Sequence, residues 1–320
     1  MRALRLALLA AVPAVLSACG GSSPTDARPP QDSTPTTSVQ FASEMPMLVA
    51  VGDTLDLRGL ARYYSGGRAS DSVTWSSGDA GVLSVVGGVG LAALKPGFST
   101  IVAAHGSASA SAKVWAVPVS QLLGIGQSHA CAIDRLGELY CWGNNGFTNA
   151  PLPTAVHLSF KVIAVAATQS DTCVLDVTGS VYCWGGAPLF TGTPSGFPVP
   201  APRGVNVPAL VSLQSGFNHA CGLAGDGAAY CWGVNASGQL GVGDTLVHAS
   251  PVHVAGGLTF SSLSPGVDHT CGIAGGDSYC WGYNIFAASG SFGGTLPAPQ
   301  RLAIVPPLVR VFAGSGLTCG

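Results

Sequence analysis

Charged side chains are scarce in this 320-residue chain. Lys and Arg number 13, Asp and Glu 15, together 9% of the residues, against roughly a quarter in ordinary soluble domains. The formal net charge of −2 provides no basic face, and so no electrostatic footing for nucleic acid. No G-x-S-x-G, H-E-x-x-H or P-loop motif occurs, so hydrolase triads, zinc proteases and P-loop chemistry lack their usual residues. The 15 acidic residues offer no pair that sequence can defend as a glycosidase couple. Gly88-Val89-Gly90-Leu91-Ala92-Ala93 fits a dinucleotide fingerprint, but Lys95-Pro96-Gly97 stops any helix within two turns, and the stretch reads as a β-turn. No catalytic residue, metal site or small-molecule cofactor is expected.

Gly (45) and Pro (22) are abundant, and apolar residues reach 47%. A surface so poor in Lys and Glu is finished with Ser, Thr, Asn, Gly and backbone, which suits an all-β, loop-rich, exported protein.

Export is written at the N-terminus. Arg2 and Arg5 precede the apolar run Leu6 to Leu16, whose eleven residues cannot span a bilayer and read as a signal h-region. Leu16-Ser17-Ala18-Cys19 resembles the lipobox of bacterial lipoproteins, which implies cleavage after residue 18, acylation of Cys19 and attachment to a lipid bilayer. Gly at position 20, where Asp is absent, leans by the same resemblance towards the outer membrane or cell surface. The alternative, an ordinary cleavage site with an incidental Cys, is weaker because small residues precede the Cys and a tether follows it. Residues 19–38 are Gly, Ser, Pro, Thr and Asp with almost nothing apolar, a disordered spacer.

Residues 39–117 carry short alternating segments punctuated by turn residues, as in a sandwich. Val51-Gly52-Asp53, Val73-Thr74-Trp75-Ser76-Ser77, Val82 to Val85 and Lys95-Pro96-Gly97-Phe98-Ser99-Thr100-Ile101 resemble the bacterial Ig-like group 2 domain. That resemblance implies a β-sandwich with Trp75 in its core, acting as a spacer or adhesion module.

Residues 119–320 repeat. Cys131 aligns with Cys141, Cys173 with Cys183, Cys221 with Cys231 and Cys271 with Cys280; each second Cys follows Tyr and precedes Trp-Gly. First cysteines recur at 42, 48, 50 and 48 residues, periods that mean a solenoid or propeller. Cysteines ten apart centre a hairpin on one residue and leave three-residue loops: Arg135-Leu136-Gly137, Val177-Thr178-Gly179 and Gly225-Asp226-Gly227. All end in Gly, as a type I turn followed by a left-handed residue requires. In the fourth copy the separation is nine, and Gly275-Gly276 suits a two-residue primed turn. Cysteines facing each other across such hairpins suit disulfides in an exported chain. The metal alternative has two thiolates per copy, spaced unlike the short pairs of zinc sites. Cys319 remains unpaired, in a fifth copy that stops before its hairpin, so the chain reads as truncated.

Gly-x-x-His-Ala/Thr-Cys (Gly126 to Cys131, Gly216 to Cys221, Gly266 to Cys271), Tyr-Cys-Trp-Gly, and Asn235-Ala236-Ser237-Gly238-Gln239-Leu240-Gly241-Val242-Gly243-Asp244 resemble the regulator of chromosome condensation repeat family. The resemblance implies four-stranded blades of a seven-bladed propeller, here an incomplete arc of about four. Inner strands are expected at Lys161 to Ala166 and Leu210 to Gln214, and outer strands at Val252 to Ala255 and Leu302 to Val305. His129, His219 and His269 recur in different blades and are expected to make structural hydrogen bonds; Trp142, Trp184, Trp232 and Trp281 are expected to pack between blades.

Binding residues are expected in the loops between copies, with Phe147, Phe190, Tyr283 and Phe286 as candidate contacts. The favoured function is a non-catalytic, surface-displayed binding or adhesion protein recognising a protein or glycan. The alternative is a periplasmic or secreted enzyme or inhibitor, since the resembled family includes a secreted β-lactamase inhibitor. Nucleotide exchange on a GTPase does not suit an exported, disulfide-bonded chain.

Overall fold

A computed structural model of the chain describes residues 37–42, 45–144, 149–185, 199–283, 294–302, 311–314 and 318–319, with backbone alone at 199–203, 318 and 319. The described secondary structure is all strand apart from one helical turn. No described helix is long and apolar enough to cross a membrane.

The first ten strands are β1 (Ser38–Phe41), β2 (Leu48–Ala50), β3 (Thr54–Asp56), β4 (Ala61–Ser65), β5 (Arg68–Ser70), β6 (Thr74–Ser77), β7 (Leu83–Val86), β8 (Gly90–Ala93), β9 (Gly97–His105) and β10 (Ala108–Val117). They form three sheets ordered β1-β4-β5, β2-β10-β9-β6 and β3-β8-β7. Leu55, Leu57, Leu83, Leu91, Ile101 and Val114 make a common core, with Trp75 packed against it. The dinucleotide-like stretch is a turn only at its start: Gly87 and Gly88 take φ +58° and +74° between β7 and β8, and Gly90 to Ala93 form strand β8 rather than a helix.

Strand β10 joins this region to the repeats. Side chains alternate across a strand, so Val114 and Ala116 enter the first core while Trp115 and Val117 face the other way and join Leu48, Ile133, Leu139 and Val162. The amides of Met47 and Leu48 both donate to the Arg135 carbonyl, at 2.9 and 3.1 Å, on the first repeat's hairpin loop. A single helical turn, α1 (Val119–Leu122), follows Pro118.

Four four-stranded antiparallel sheets then succeed one another. They are β11 (Leu123–Ile125), β12 (His129–Ile133), β13 (Leu139–Asn144) and β14 (Asn149–Val156); β15 (Val162–Ala167), β16 (Asp171–Asp176), β17 (Val181–Gly185) and β18 (Val199–Val205); β19 (Leu210–Ser215), β20 (His219–Ala224), β21 (Ala229–Gly233) and β22 (His248–His253); β23 (Phe260–Pro265), β24 (His269–Ala274), β25 (Asp277–Tyr283) and β26 (Thr295–Arg301). β27 (Phe312–Ala313) pairs with β28 (Thr318–Cys319). Each sheet runs in chain order from an inner to an outer edge strand. The outer strands differ from the sequence expectation: β22 lies before Val254 and β26 before Leu302. Pro251, Pro297 and Pro299 sit inside them, tolerated because an edge strand needs only one hydrogen-bonded side.

The central hairpins hold the expected register. Cys131 faces Cys141, Cys173 faces Cys183, Cys221 faces Cys231 and Cys271 faces Cys280. Each pair is a disulfide with Cα atoms 4.1–4.2 Å apart, the close spacing of directly opposed antiparallel residues. The three-residue loops end in glycine at φ +76°, +88° and +84° (Gly137, Gly179, Gly227), and the short fourth loop has both Gly275 and Gly276 at positive φ. Each three-residue loop also docks onto the next repeat: the carbonyls of Gly137, Gly179 and Gly227 accept from the amides of Val162, Leu210 and Phe260.

The glycine after each Trp serves the bulge where the outer strand peels away. Register shifts fall between Cys231 and Gly233 and at the equivalent positions. A Cβ on Gly143 lies 2.4 Å from the Ser128 carbonyl oxygen, so no other residue fits. The bulge turns the Trp rings inward: Trp184, Trp232 and Trp281 are fully buried. Trp142, in the first repeat, is half-buried.

Candidate binding site

The recurrent Gly-x-x-His pattern is a packing device at one end of the inner strands. His129 in β12 reaches the next repeat, its Nε2 2.9 Å from Thr172 Oγ1. His219 does the same to Thr270 Oγ1 at 2.8 Å. Thr270 spends its sole hydroxyl hydrogen on the Gln239 carbonyl, 2.8 Å away, so His219 must donate through Nε2. Its Nδ1 is buried without a hydrogen-bond partner, which fits the unprotonated nitrogen of a neutral ring. Burial, and secondarily the neighbouring His269, push the His219 pKa down to about 3. Burial likewise lowers those of His129 and His269.

Gly and His go together because the imidazole occupies the space a Cβ needs. On Gly216 that Cβ would sit 2.5 Å from His219 Cε1 and 2.0 Å from the Gly266 carbonyl oxygen; Gly126 and Gly266 are crowded the same way. The second repeat swaps both residues at once. Thr168 replaces the glycine and Asp171 the histidine, and the Asp171 amide donates to Thr168 Oγ1 at 3.1 Å.

The signature loop after β21 is a closed clasp. Asn235 Nδ2 donates to the Asp244 carbonyl and Oδ1, both at 3.0 Å, and Asn235 Oδ1 accepts from the Leu240 amide. The Leu246 amide first, then His248, hold the Asp244 carboxyl below its ordinary range. Gly243 N donates to the Pro297 carbonyl, tying the loop to β26, and Gly241 makes room for the Trp281 indole.

Above these turns lies a concavity of about 330 Å³. It is lined by equivalent residues of successive repeats, among them Ile125, Gly126, Gln127, Phe217, Pro265 and Val267. The turns are stitched by main-chain bonds from Gln169 N to Phe217 O, Phe217 N to Gly266 O and Val267 N to Gly314 O. Among the described residues, no three His, Cys, Asp or Glu side chains gather as metal ligands would.

Residues 226–273, and residues 122–148 and 210–239, match the regulator of chromosome condensation (RCC1) repeat. Those segments carry the pattern of the RCC1 repeat. Among solved structures it is similar to human WBSCR16, at 19% identity over 68% of each chain with a TM-score of 0.54. It is similar to yeast RCC1 (Prp20), solved bound to Kap60, at 19% identity over 69% of this chain and 65% of that one, TM-score 0.52. A second structure, Prp20p from Saccharomyces cerevisiae, described with its binding to Gsp1p and histones, gives 19%, 69%, 64% and 0.54. The likeness is one of fold, all-β with propeller-type blades, and this chain spans just under two thirds of the two yeast chains.

The sequence-derived site residues fall unevenly. Tyr283 ends β25, 47% exposed, its amide donating to the Asp268 carbonyl. Cys19, Phe147, Phe190 and Phe286 lie outside the described residues. Cys319 is in β28, described by its backbone. Tyr283 ends β25 beside the His end of β24, where Gly282 faces His269, the end that bears the concavity. The concavity itself is not among the sequence expectations: its one signal is the Gly of Gly-x-x-His, which reads as motif rather than as wall.

Proposed function

We propose that the chain is an exported, lipid-anchored, non-catalytic binding protein: a signal segment over residues 1–18, acylation at Cys19, a tether over 19–38, an Ig-like group 2 sandwich over 39–117, and about four propeller blades over 119–320 that recognise a protein or glycan. The observation that carries this reading is the concavity of about 330 Å³ walled by the same turn of successive repeats. The turns that wall it are tied to one another by main-chain hydrogen bonds, and concave sites on such a scaffold are where recognition usually sits. The four disulfides, which suit an oxidising compartment, the lipobox and the tether support display at the envelope, with Cys319 as a free thiol. A protein-binding role is in keeping with the similar yeast RCC1 (Prp20), which was solved bound to Kap60.

The test places a photoreactive residue at Gln127, on the rim, and in a control chain at Arg68, in the β4–β5 hairpin region, both in cells that process and anchor the chain. Adducts at 127 but not at 68, competed by soluble chain, support the reading. Equal or absent adducts at the two positions refute it.

A further inference from the structure

The concavity's lining is more apolar than polar. Ile125 is 71% exposed, a large aliphatic side chain at the mouth. Phe217 and Val267 are half-buried beside the buried Pro265. Among the described residues the lining contains no ionisable side chain, so a charged group entering it would lose its water without meeting a counter-charge there.

The lining hydroxyls and several of its main-chain amides are already occupied. Ser215 Oγ donates to the Ala167 carbonyl at 2.8 Å. Thr168 Oγ1 accepts from the Asp171 amide and donates back to Asp171. The amides of Phe217 and Val267 are spent on the carbonyls of Gly266 and Gly314. Gln127 alone brings a side-chain amide to the rim. A sugar presents a hydroxyl on nearly every carbon, and most of those would be left unpaired here. An aliphatic or aromatic group meets matching surface and asks for no hydrogen bond. The volume, at the small end for ligand sites, admits one or two side chains rather than a folded segment.

We infer that this concavity receives an uncharged apolar side chain carried on a loop of a protein partner, in preference to a glycan. This rests on the proposed binding function and narrows its ligand.

The experiment presents the full chain with two probes, a phage library of disulfide-constrained loops and an array of neutral and acidic glycans. The expected result is enrichment of loops sharing Leu, Ile, Phe or Trp at the tip, with no glycan retained. Their binding should fall at least about tenfold in Ile125→Glu, where a charge is placed at the mouth, and stay within about threefold in Ile125→Leu. Enriched loops with charged tips, an empty selection, binding indifferent to Ile125→Glu, or a glycan whose retention is lost in Ile125→Glu each overturn the inference. The last result would leave crosslinking at residue 127 intact and so keep the binding function; absent crosslinking would remove the site itself.

Discussion

Acid should loosen the junction between the third and fourth repeats, through His219. The folded-state pKa of this ring is about 3, against about 6.5 when solvated. A depressed histidine pKa means that the unfolded chain binds the extra proton first. Its contribution to stability is therefore full above the unfolded pKa and is lost as pH falls from about 6.5 towards 3. Between about pH 7.5 and pH 4.5 the loss from this one residue amounts to about 2–3 kcal/mol, a large share of a typical domain's stability. The assay is urea denaturation at both pH values for the parent chain and for His219→Gln, which keeps an amide donor and cannot titrate. The other buried histidines and the depressed carboxylates, including Asp244, are present in both proteins and cancel in the comparison. The parent should lose about 2–3 kcal/mol more than the variant on acidification. Equal losses would refute the assignment of a neutral, Nε2-protonated ring between Thr270 and Gly216.

Four further outcomes follow from the packing. Replacing Cys221 and Cys231 together by Ala opens a loop of about eleven residues and should cost about 2.5–3 kcal/mol in denaturant unfolding. Gly216→Ala, whose new methyl would lie 2.0 Å from a carbonyl oxygen, should destabilise by several kcal/mol or prevent accumulation, whereas Gly275→Ala, with nothing within 4 Å, should cost about 1–2 kcal/mol for its positive φ. Asn235→Ala strands the Leu240 amide and should cost about 1–3 kcal/mol, read as new protease cleavage between residues 235 and 244. Trp232→Ala should cost about 3–5 kcal/mol, and Trp142→Ala distinctly less, because its ring is only half-buried.

Periodic features are readable in sequence because a hairpin's register follows from local spacing. Counting residues between cysteines is enough to set Cys131 opposite Cys141 and Cys271 opposite Cys280, and the glycines of the turns agree. Contacts between repeats are much less legible. His219 reads as structural, yet its partner, Thr270, lies 51 residues away and precedes a Cys in the manner of any strand residue. The outer strands fall earlier than the sequence suggests because proline is a breaker in general but not at an edge. Helix α1 is a single turn without a side-chain cap, too short to leave a pattern. The candidate rim is hidden for another reason: its walls come from the same turn of successive repeats, and only the fold brings Ile125, Phe217 and Val267 to one place.

The docking of each hairpin glycine carbonyl onto the first strand of the following repeat makes the array a relay. The second sheet's inner edge is templated by Gly137, the third by Gly179 and the fourth by Gly227. Stability in such a chain is a sum of weak units and strong nearest-neighbour couplings. Damage to one turn is therefore felt one repeat downstream of the mutation. Lengthening the loop at Gly179 by one residue would leave its own disulfide hairpin intact and loosen Leu210 at the head of the next sheet. Hydrogen exchange would report it there first, an error displaced by one period from its cause.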